Sequence, residues 1–278
     1  SIKNNRSSKV NCLGAGFACS FLLLLKAPVI IPALFASLFP LIWENKSKKY
    51  SNNFSWLWLF YGIIPGFSWH LWNFLSSGSD AFWMWFGDGA GRVLLEKGQG
   101  SELGILVPIV EIIEGGWPWI LLWPIGFVWA FFSLNTRWGL WAFTTQIIIA
   151  GSVFPLKTQL PWYIHPFWLP FALICGPPLS WLIQRKENNF GASKKILNKI
   201  PYILSILGLC LVSLSLLMKL NFLNTEDDYF NIIFPISISW FIGGWLLSNV
   251  SKNIRKLGFL GIIFGSMIGL FFFVKSEF

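Results

Sequence analysis

Long apolar segments separated by short basic runs are the feature that most constrains this chain. Of its 278 residues, 55% are hydrophobic and 12% are charged, about half the charged fraction of a soluble domain. A hydrocarbon core about 30 Å thick needs about 20 apolar residues in a helix to cross it. The sequence therefore excludes an ordinary water-soluble enzyme and predicts an all-α, polytopic bundle of transmembrane helices.

About nine segments are candidate spans. They are residues 11–25, 27–43, 56–74, 107–133, 138–155, 162–183, 201–221, 232–250 and 258–275. Only Lys26, Ala27 and Pro28 separate the first two segments. One long span with a buried lysine is therefore the alternative to a hairpin. The distribution of basic residues decides between these two interpretations.

The hairpin places 15 of the 21 Lys and Arg residues on one side of the membrane. A single merged span would instead separate the basic residues of segment 3–9 from those of segment 46–49. Cytoplasmic loops carry the Lys and Arg excess. We therefore expect the hairpin and a cytoplasmic N-terminus of this chain, and we interpret the net charge of +9 as a topology signal rather than a nucleic-acid site.

The predicted outer face receives one sizeable loop, residues 75–106, and the short segment 156–161. Ionisable residues are costly in hydrocarbon, so those at the outer ends of spans are the first candidates for function. Lys26 stands at a turn that Pro28 helps to fix, and its ammonium could bind a phosphate as a point charge. The alternative is a lysine that marks the turn and reaches the interface.

The outer loop offers a second cation, Arg92, whose guanidinium could bind an anion through two hydrogen bonds. Gly87, Gly89 and Gly91 precede it, and they indicate loop flexibility more than a nucleotide site. His70, at the start of this loop, is either a base or a satisfied interfacial histidine.

Two carboxylate pairs allow acid–base chemistry or a plain structural role. Asp80 and Asp88 lie eight residues apart in the outer loop, where solvated charges are the simpler interpretation. Glu111 and Glu114 share one helical face near the outer end of a span, where ion coupling or metal contact and a structural pair facing a pocket are equal alternatives. The four cysteines form no C-x-x-C pair, so we predict neither a disulfide framework nor a metal site.

The most informative stretch reads Lys157-Thr158-Gln159-Leu160-Pro161-Trp162-Tyr163-Ile164-His165-Pro166. Four prolines between positions 155 and 170 prevent a regular helix across this boundary. Lys157, Tyr163 and His165 are thereby crowded near the start of a span, where they could hold a phosphorylated lipid headgroup. The alternative is a proline-kinked start of the span with an aromatic belt.

This stretch resembles the T-K-L-P-W-Y-x-x-P signature of bacterial transferases related to lipid A aminoarabinose transferase and to protein O-mannosyltransferases. Leu25-Lys26-Ala27-Pro28 is similar to the T-K-G-P turn of that family, with Ala27 in place of Gly. Trp69-His70, segment 78–82 and Arg92 resemble its outer loop, although Gly89 stands where Asn is usual. Order, spacing and predicted sides agree over residues 11–183.

The resemblance implies a GT-C type glycosyltransferase of the bacterial inner membrane and cell envelope. Such an enzyme moves a sugar from a polyprenyl-phosphate carrier to an acceptor on the outer face, which is lipid A, another glycolipid or a protein. It implies a transmembrane core at residues 1–183 and further spans at 184–278. No cofactor is implied, and a divalent metal is left open.

The resemblance also implies roles for individual residues. Lys26, Arg92 and Tyr163 would contact the carrier phosphate. Lys157 is a weaker candidate because Lys and Thr stand in reversed order here, and His165 adds to the same group. The general base of the family is an acidic residue in an earlier outer loop, so we expect it upstream of Ser1 and name none in this chain.

Two other classes of function are open at this point. A secondary transporter also uses broken helices and intramembrane charge, although no internal repeat is evident. A noncatalytic membrane subunit would equally lack the upstream loop.

Overall fold

The described part of the chain is helical, because a segment in hydrocarbon must satisfy its backbone N–H and C=O groups internally. The computed structural model describes residues 2–26, 30–46, 55–81, 91, 104–157, 159–185, 193–220 and 227–276. No strand occurs in these ranges, which confirms the all-α prediction.

The α-helices whose full extent is described follow one another with short breaks. They are α1 (Ile2–Lys26), α2 (Ile30–Lys46), α3 (Trp56–Ser77), α4 (Leu106–Gly116), α5 (Trp123–Phe132), α6 (Arg137–Val153), α7 (Trp168–Gln184), α8 (Ser193–Lys219), α9 (Asp227–Leu247) and α10 (Lys252–Ser276). Two 3₁₀-helices, Trp119–Leu121 and Pro161–Phe167, precede α5 and α7.

The prediction of about nine spans is wrong for the described residues. Five helical segments there are long and apolar enough to cross a membrane: Ser8–Leu25, Pro161–Gln184, Lys194–Lys219, Tyr229–Leu247 and Lys252–Lys275. A sixth arises only if Leu106–Gly116 and Trp119–Phe132 together form one broken span. These helices indicate a membrane protein.

Four predicted spans are not among these five, each for an identifiable reason. The α2 and α6 helices have 17 residues each, which gives about 26 Å of helix against a core of about 30 Å. The α3 helix is long enough, but it carries four Trp residues together with Tyr61, His70 and Asn73, which lower its mean hydropathy. The predicted segment 107–133 is interrupted between Gly116 and Trp119.

The α1 helix ends at Lys26 and α2 begins at Ile30, while residues 27–29 between them lie outside the described residues, so the hairpin stays a prediction. The residues form two compact units by their contacts. Unit 1 comprises Ser1–Gly116 and Ala130–Ala172, and unit 2 comprises Trp117–Trp129 and Leu173–Phe278. The division predicted at residue 183 concerns function, so it stays a prediction.

In unit 1, α1 and α3 run parallel along a seam of small residues. A Cβ atom on Gly62 would lie 2.7 Å from the Cα atom of Gly16, and one on Gly66 would lie 2.6 Å from the carbonyl oxygen of Ser20. Contacts that advance in the same order along both helices require parallel directions. Small residues allow this close approach, as is typical of helix pairs in membranes.

In unit 2, α8, α9 and α10 form an antiparallel series. A Cβ atom on Gly244 would lie 2.7 Å from the Pro201 oxygen, and one on Gly208 would lie 2.7 Å from the Phe241 Cα atom. The α9 and α10 helices approach equally closely at Gly258 and Gly265. Along each pair one residue number rises while the other falls, so neighbouring helices are antiparallel.

Candidate functional site

The first part of the candidate site lies where α1 and α3 end together in unit 1. His70 Nε2 donates a hydrogen bond to the carbonyl oxygen of Leu23 over 2.9 Å. A carbonyl can only accept, so Nε2 carries the proton in this contact. Since the two helices are parallel, the contact places Trp69-His70 at the same end as Lys26, the last residue of α1.

His70 is therefore fixed by its neighbours rather than displayed as an isolated base. The Trp69 ring stands edge-on to the imidazole, with 4.8 Å between centroids. The hydrogen bond joins residues that are 47 positions apart in the sequence. Its acceptor is a carbonyl near the C-terminal end of α1, where the helix supplies fewer N–H donors. Of the two interpretations of His70, the contact favours the satisfied interfacial histidine.

The second part is the 3₁₀-helix Pro161–Phe167, which packs on α4 and α6 in unit 1. Leu160 precedes it in an extended conformation, and the Tyr163 N–H donates to the Leu160 oxygen over 2.9 Å. Proline at the first position suits this start, because its missing N–H has no intrahelical partner to lose.

Every third side chain at the end of this 3₁₀-helix is buried, and the side chains between them are more exposed. Ile164 and Phe167 are buried at 2% exposure each and anchor the helix to unit 1. Tyr163 is half-buried, with the Trp162 ring perpendicular to it, and His165 is exposed. The proline-rich sequence thus makes a rigid turn that presents one phenol and one imidazole beside α4 and α6.

Gln159 belongs to the candidate site, although the sequence did not single it out as a site residue. Its Nε2 lies 3.1 Å from the Val153 oxygen, 3.2 Å from the Phe154 oxygen and 2.8 Å from the Leu156 oxygen. Val153 is the last residue of α6, and Phe154 and Leu156 follow it, so the side chain donates to carbonyls at and just beyond the helix end. Lys157, which is exposed, lies within the segment that Gln159 fastens.

Gln159 is only 1% exposed, and its Oε1 accepts no hydrogen bond within the described residues. The signal was present in the sequence, because an amide inside an apolar, proline-rich stretch needs polar partners when it is buried. Its partners could not be named from spacing, since they are backbone atoms of the preceding helix end.

Glu111 and Glu114 lie on α4, the helix that packs against the same 3₁₀-helix. A Cβ atom on Gly115 would lie 2.7 Å from the Trp168 ring, so this face of α4 meets the start of α7. Glu111 is one turn earlier on that face and is half-buried, whereas Glu114 is exposed. The two carboxylates therefore have different surroundings despite their spacing of three residues.

The structure gathers the predicted site residues into two groups within unit 1. Lys26 and His70 belong to the α1/α3 pair, whereas Lys157, Tyr163 and His165 belong to the segment between α6 and α7. The α2 helix links the groups, because it follows α1 and packs on α6. Asp80 is described and exposed, whereas Arg92, Asp88 and Thr158 lie outside the described residues.

Within the described ranges, no group of three or more His, Cys, Asp or Glu side chains is placed to hold a metal ion. Comparisons with models of known protein families, with curated proteins and with solved structures give no match.

Proposed function

We propose that this chain is part of a membrane glycosyltransferase of the GT-C type. The enzyme would take a sugar from a polyprenyl-phosphate carrier and pass it to lipid A, another glycolipid or a protein at the outer face of the bacterial inner membrane. The observation that carries the proposal is the contact between His70 and Leu23, because it brings two separated motif segments to one end of a parallel helix pair.

The third motif segment supports the same assignment, because buried Ile164 and Phe167 anchor it to unit 1. The 3₁₀-helix Pro161–Phe167 holds Tyr163 half-buried and His165 exposed on one fixed turn. A phenol O–H and an imidazole N–H can both donate to phosphate oxygens. Lys26 and Arg92 would supply the positive charge, and Lys157 would add a cation from the loop that Gln159 fastens.

The proposed reaction is an inverting displacement at the anomeric carbon of the sugar. The acceptor oxygen forms a bond to that carbon while the bond from carbon to the carrier phosphate oxygen breaks, and the phosphate leaves with the electron pair. Cations placed on the phosphate stabilise the charge that develops as it leaves, and low local water content strengthens them. The acceptor proton goes to a carboxylate base, a role that we assign to no residue of this chain.

The test is sugar transfer by the purified full-length protein, reconstituted with a labelled polyprenyl-phosphate sugar. We expect label in the acceptor fraction with this donor and none with the corresponding sugar nucleotide. Transfer from the sugar nucleotide alone, or no transfer in membranes that contain every acceptor class named above, would contradict the proposal.

A secondary transporter is the second candidate, favoured by the interruption between α4 and the 3₁₀-helix Trp119–Leu121. Interrupted helices at membrane depth are typical of substrate sites in transporters. A noncatalytic subunit is the third. If the transporter assignment is correct, vesicles with the protein reconstituted in their membrane should accumulate a labelled solute, and no sugar should be transferred covalently.

A further inference from the structure

One end of unit 2 carries seven basic residues from two helices, α8 and α10, and from the segment after α7. The α7 helix ends at Gln184, α8 begins at Ser193, α9 ends at Leu247 and α10 begins at Lys252. Arg255, in the first turn of α10, joins the end of α7 to the segment after α9, because its Nε donates to the Ile183 oxygen over 2.8 Å and its Nη1 donates to the Asn249 oxygen over 2.9 Å. We call this surface the basic end.

The residues of the basic end share one sign of charge. They are Arg185, Lys194, Lys195, Lys199, Lys252, Arg255 and Lys256. The described residues 184–185, 193–204 and 244–256 contain no Asp or Glu to oppose them. The sequence between residues 185 and 193 adds one lysine and one glutamate, which cancel.

Arg255 neutralises the helix ends that would otherwise reduce this positive charge. The side chain is 3% exposed, and it binds carbonyls at the C-terminal ends of α7 and α9, including that of Val250. A helix C-terminus carries partial negative charge and an N-terminus partial positive charge. The N-terminal ends of α8 and α10, with their partial positive charge and their lysines, therefore face outward.

Arg185 adds a second, less buried guanidinium to the basic end. It lies over the Trp181 ring, with Cζ 4.7 Å from the ring centroid, and its Nη1 donates to Asn198 Oδ1. Partial burial, and then the nearby charge of Arg255, lower the pKa of Arg185. Within the described residues, no carboxylate lies at ion-pair distance from either arginine, so an anion from outside would relieve this repulsion.

We propose that the basic end binds the phosphate headgroups of anionic phospholipids. The helices that form it expose apolar side chains beside the charges, as at Ile203, Leu257 and Leu260, which places lipid chains next to the cations. Exposed Tyr202, an amphipathic ring that suits the headgroup layer, lies at the same end. Clustered Lys and Arg beside a membrane helix bind anionic leaflets through their charge, and the apolar surroundings favour lipid over free phosphate.

The experiment measures lipid binding to the purified full chain in neutral detergent. The probes are phosphatidylglycerol, phosphatidylcholine and inorganic phosphate, and the readout is the apparent affinity for each from native mass spectrometry. The test variant replaces three exposed lysines of the basic end, Lys199→Gln, Lys252→Gln and Lys256→Gln, and leaves the buried Arg255 in place.

The matched control is Lys219→Gln with Lys275→Gln, which removes lysines from the opposite ends of α8 and α10. We expect the unmodified protein to prefer phosphatidylglycerol, the test variant to lose about tenfold or more of that affinity, and the control to keep it. Equal affinity in test variant and control, no preference over phosphatidylcholine, or equally strong binding of inorganic phosphate would overturn the proposal.

Discussion

His70 Nε2 lies 2.9 Å from the carbonyl oxygen of Leu23, and this contact holds the ends of α1 and α3 together. Leu23 lies in the last turn of α1, which ends at Lys26. The contact therefore has a structural role, and it also places Trp69-His70 at the end of the helix pair where α1 ends, at Lys26.

Replacing His70 by Ala should lower the stability of unit 1. The Leu23 carbonyl would lose the hydrogen bond from His70, and loss of one such bond costs about 0.5–1.5 kcal/mol. Thermal unfolding of the protein in detergent measures the effect. The matched control is His165→Ala, because His165 is exposed. Equal losses for both variants would mean that the contact with Leu23 contributes nothing.

The seam between α1 and α3 predicts a strong difference between two glycines of the same helix. A Cβ atom on Gly16 would lie 2.7 Å from the Gly62 Cα atom, whereas one on Gly14 meets nothing within 4 Å. Gly16→Ala should therefore cost about 1–3 kcal/mol through overpacking. Gly14→Ala should be neutral or stabilise by up to about 1 kcal/mol, because alanine favours the helix.

Both glycine variants are compared by their unfolding midpoints in one detergent. The parallel seam predicts that only Gly16→Ala lowers the midpoint. If Gly14→Ala lowers the midpoint more than Gly16→Ala, then α1 contacts α3 through the face that carries Gly14, which contradicts the structure.

Gln159 should tolerate a charged replacement worse than an apolar one. Its Nε2 faces three carbonyl oxygens, so the carboxylate of Gln159→Glu would meet only acceptors. Gln159→Leu leaves those carbonyls without the amide donor but also removes the unpartnered Oε1, and it should cost about 1–3 kcal/mol. Unfolding midpoints should fall in the order native, Gln159→Leu, Gln159→Glu.

The control for this series is Gln184, which is exposed and donates to Ser180 Oγ over 3.1 Å. Gln184→Leu and Gln184→Glu should change the midpoint little. If Gln159→Glu is as stable as the native protein, the amide does not face the end of α6 as described.

Lys26 and Arg92 should each be needed for sugar transfer. Removing one preorganised cation from a leaving phosphate should slow transfer by about 10²-fold or more. The control is Lys9→Ala, an exposed lysine on α1 about 25 Å before Lys26 along the helix axis. Transfer assays on Lys26→Ala and Arg92→Ala decide the matter. If either variant transfers sugar at the rate of the control, the replaced residue does not contact the phosphate.

Helix positions follow closely from the sequence, because apolar run length and backbone satisfaction in hydrocarbon dominate there. The break after Lys26 and the irregular start at Pro161 were both predictable from proline and charge. The number of spans was overestimated, because tryptophan counts as hydrophobic in composition yet lowers the mean hydropathy of α3. The break after Gly116 was missed, because the apolar run continues through it.

Contacts between separated residues were not predictable in the same way. Nothing in the spacing of Leu23 and His70 indicates that they meet, since the contact follows from the close approach of Gly16 and Gly62. Gln159 likewise binds backbone atoms, which carry no side-chain signal. Sequence alone therefore gave candidate residues, and tertiary packing decided which of them share an end of a helix pair.

The central claim is that Lys26, Arg92 and Tyr163 serve one lipid phosphate. The most direct measurement uses a polyprenyl phosphate with a photoreactive group beside the phosphate, followed by mass spectrometry of the crosslinked peptides. The account predicts adducts in two separated peptides, one spanning residues 25–28 and one spanning 157–165. Adducts confined to α8, α9 and α10, or to only one of the two peptides, would contradict it.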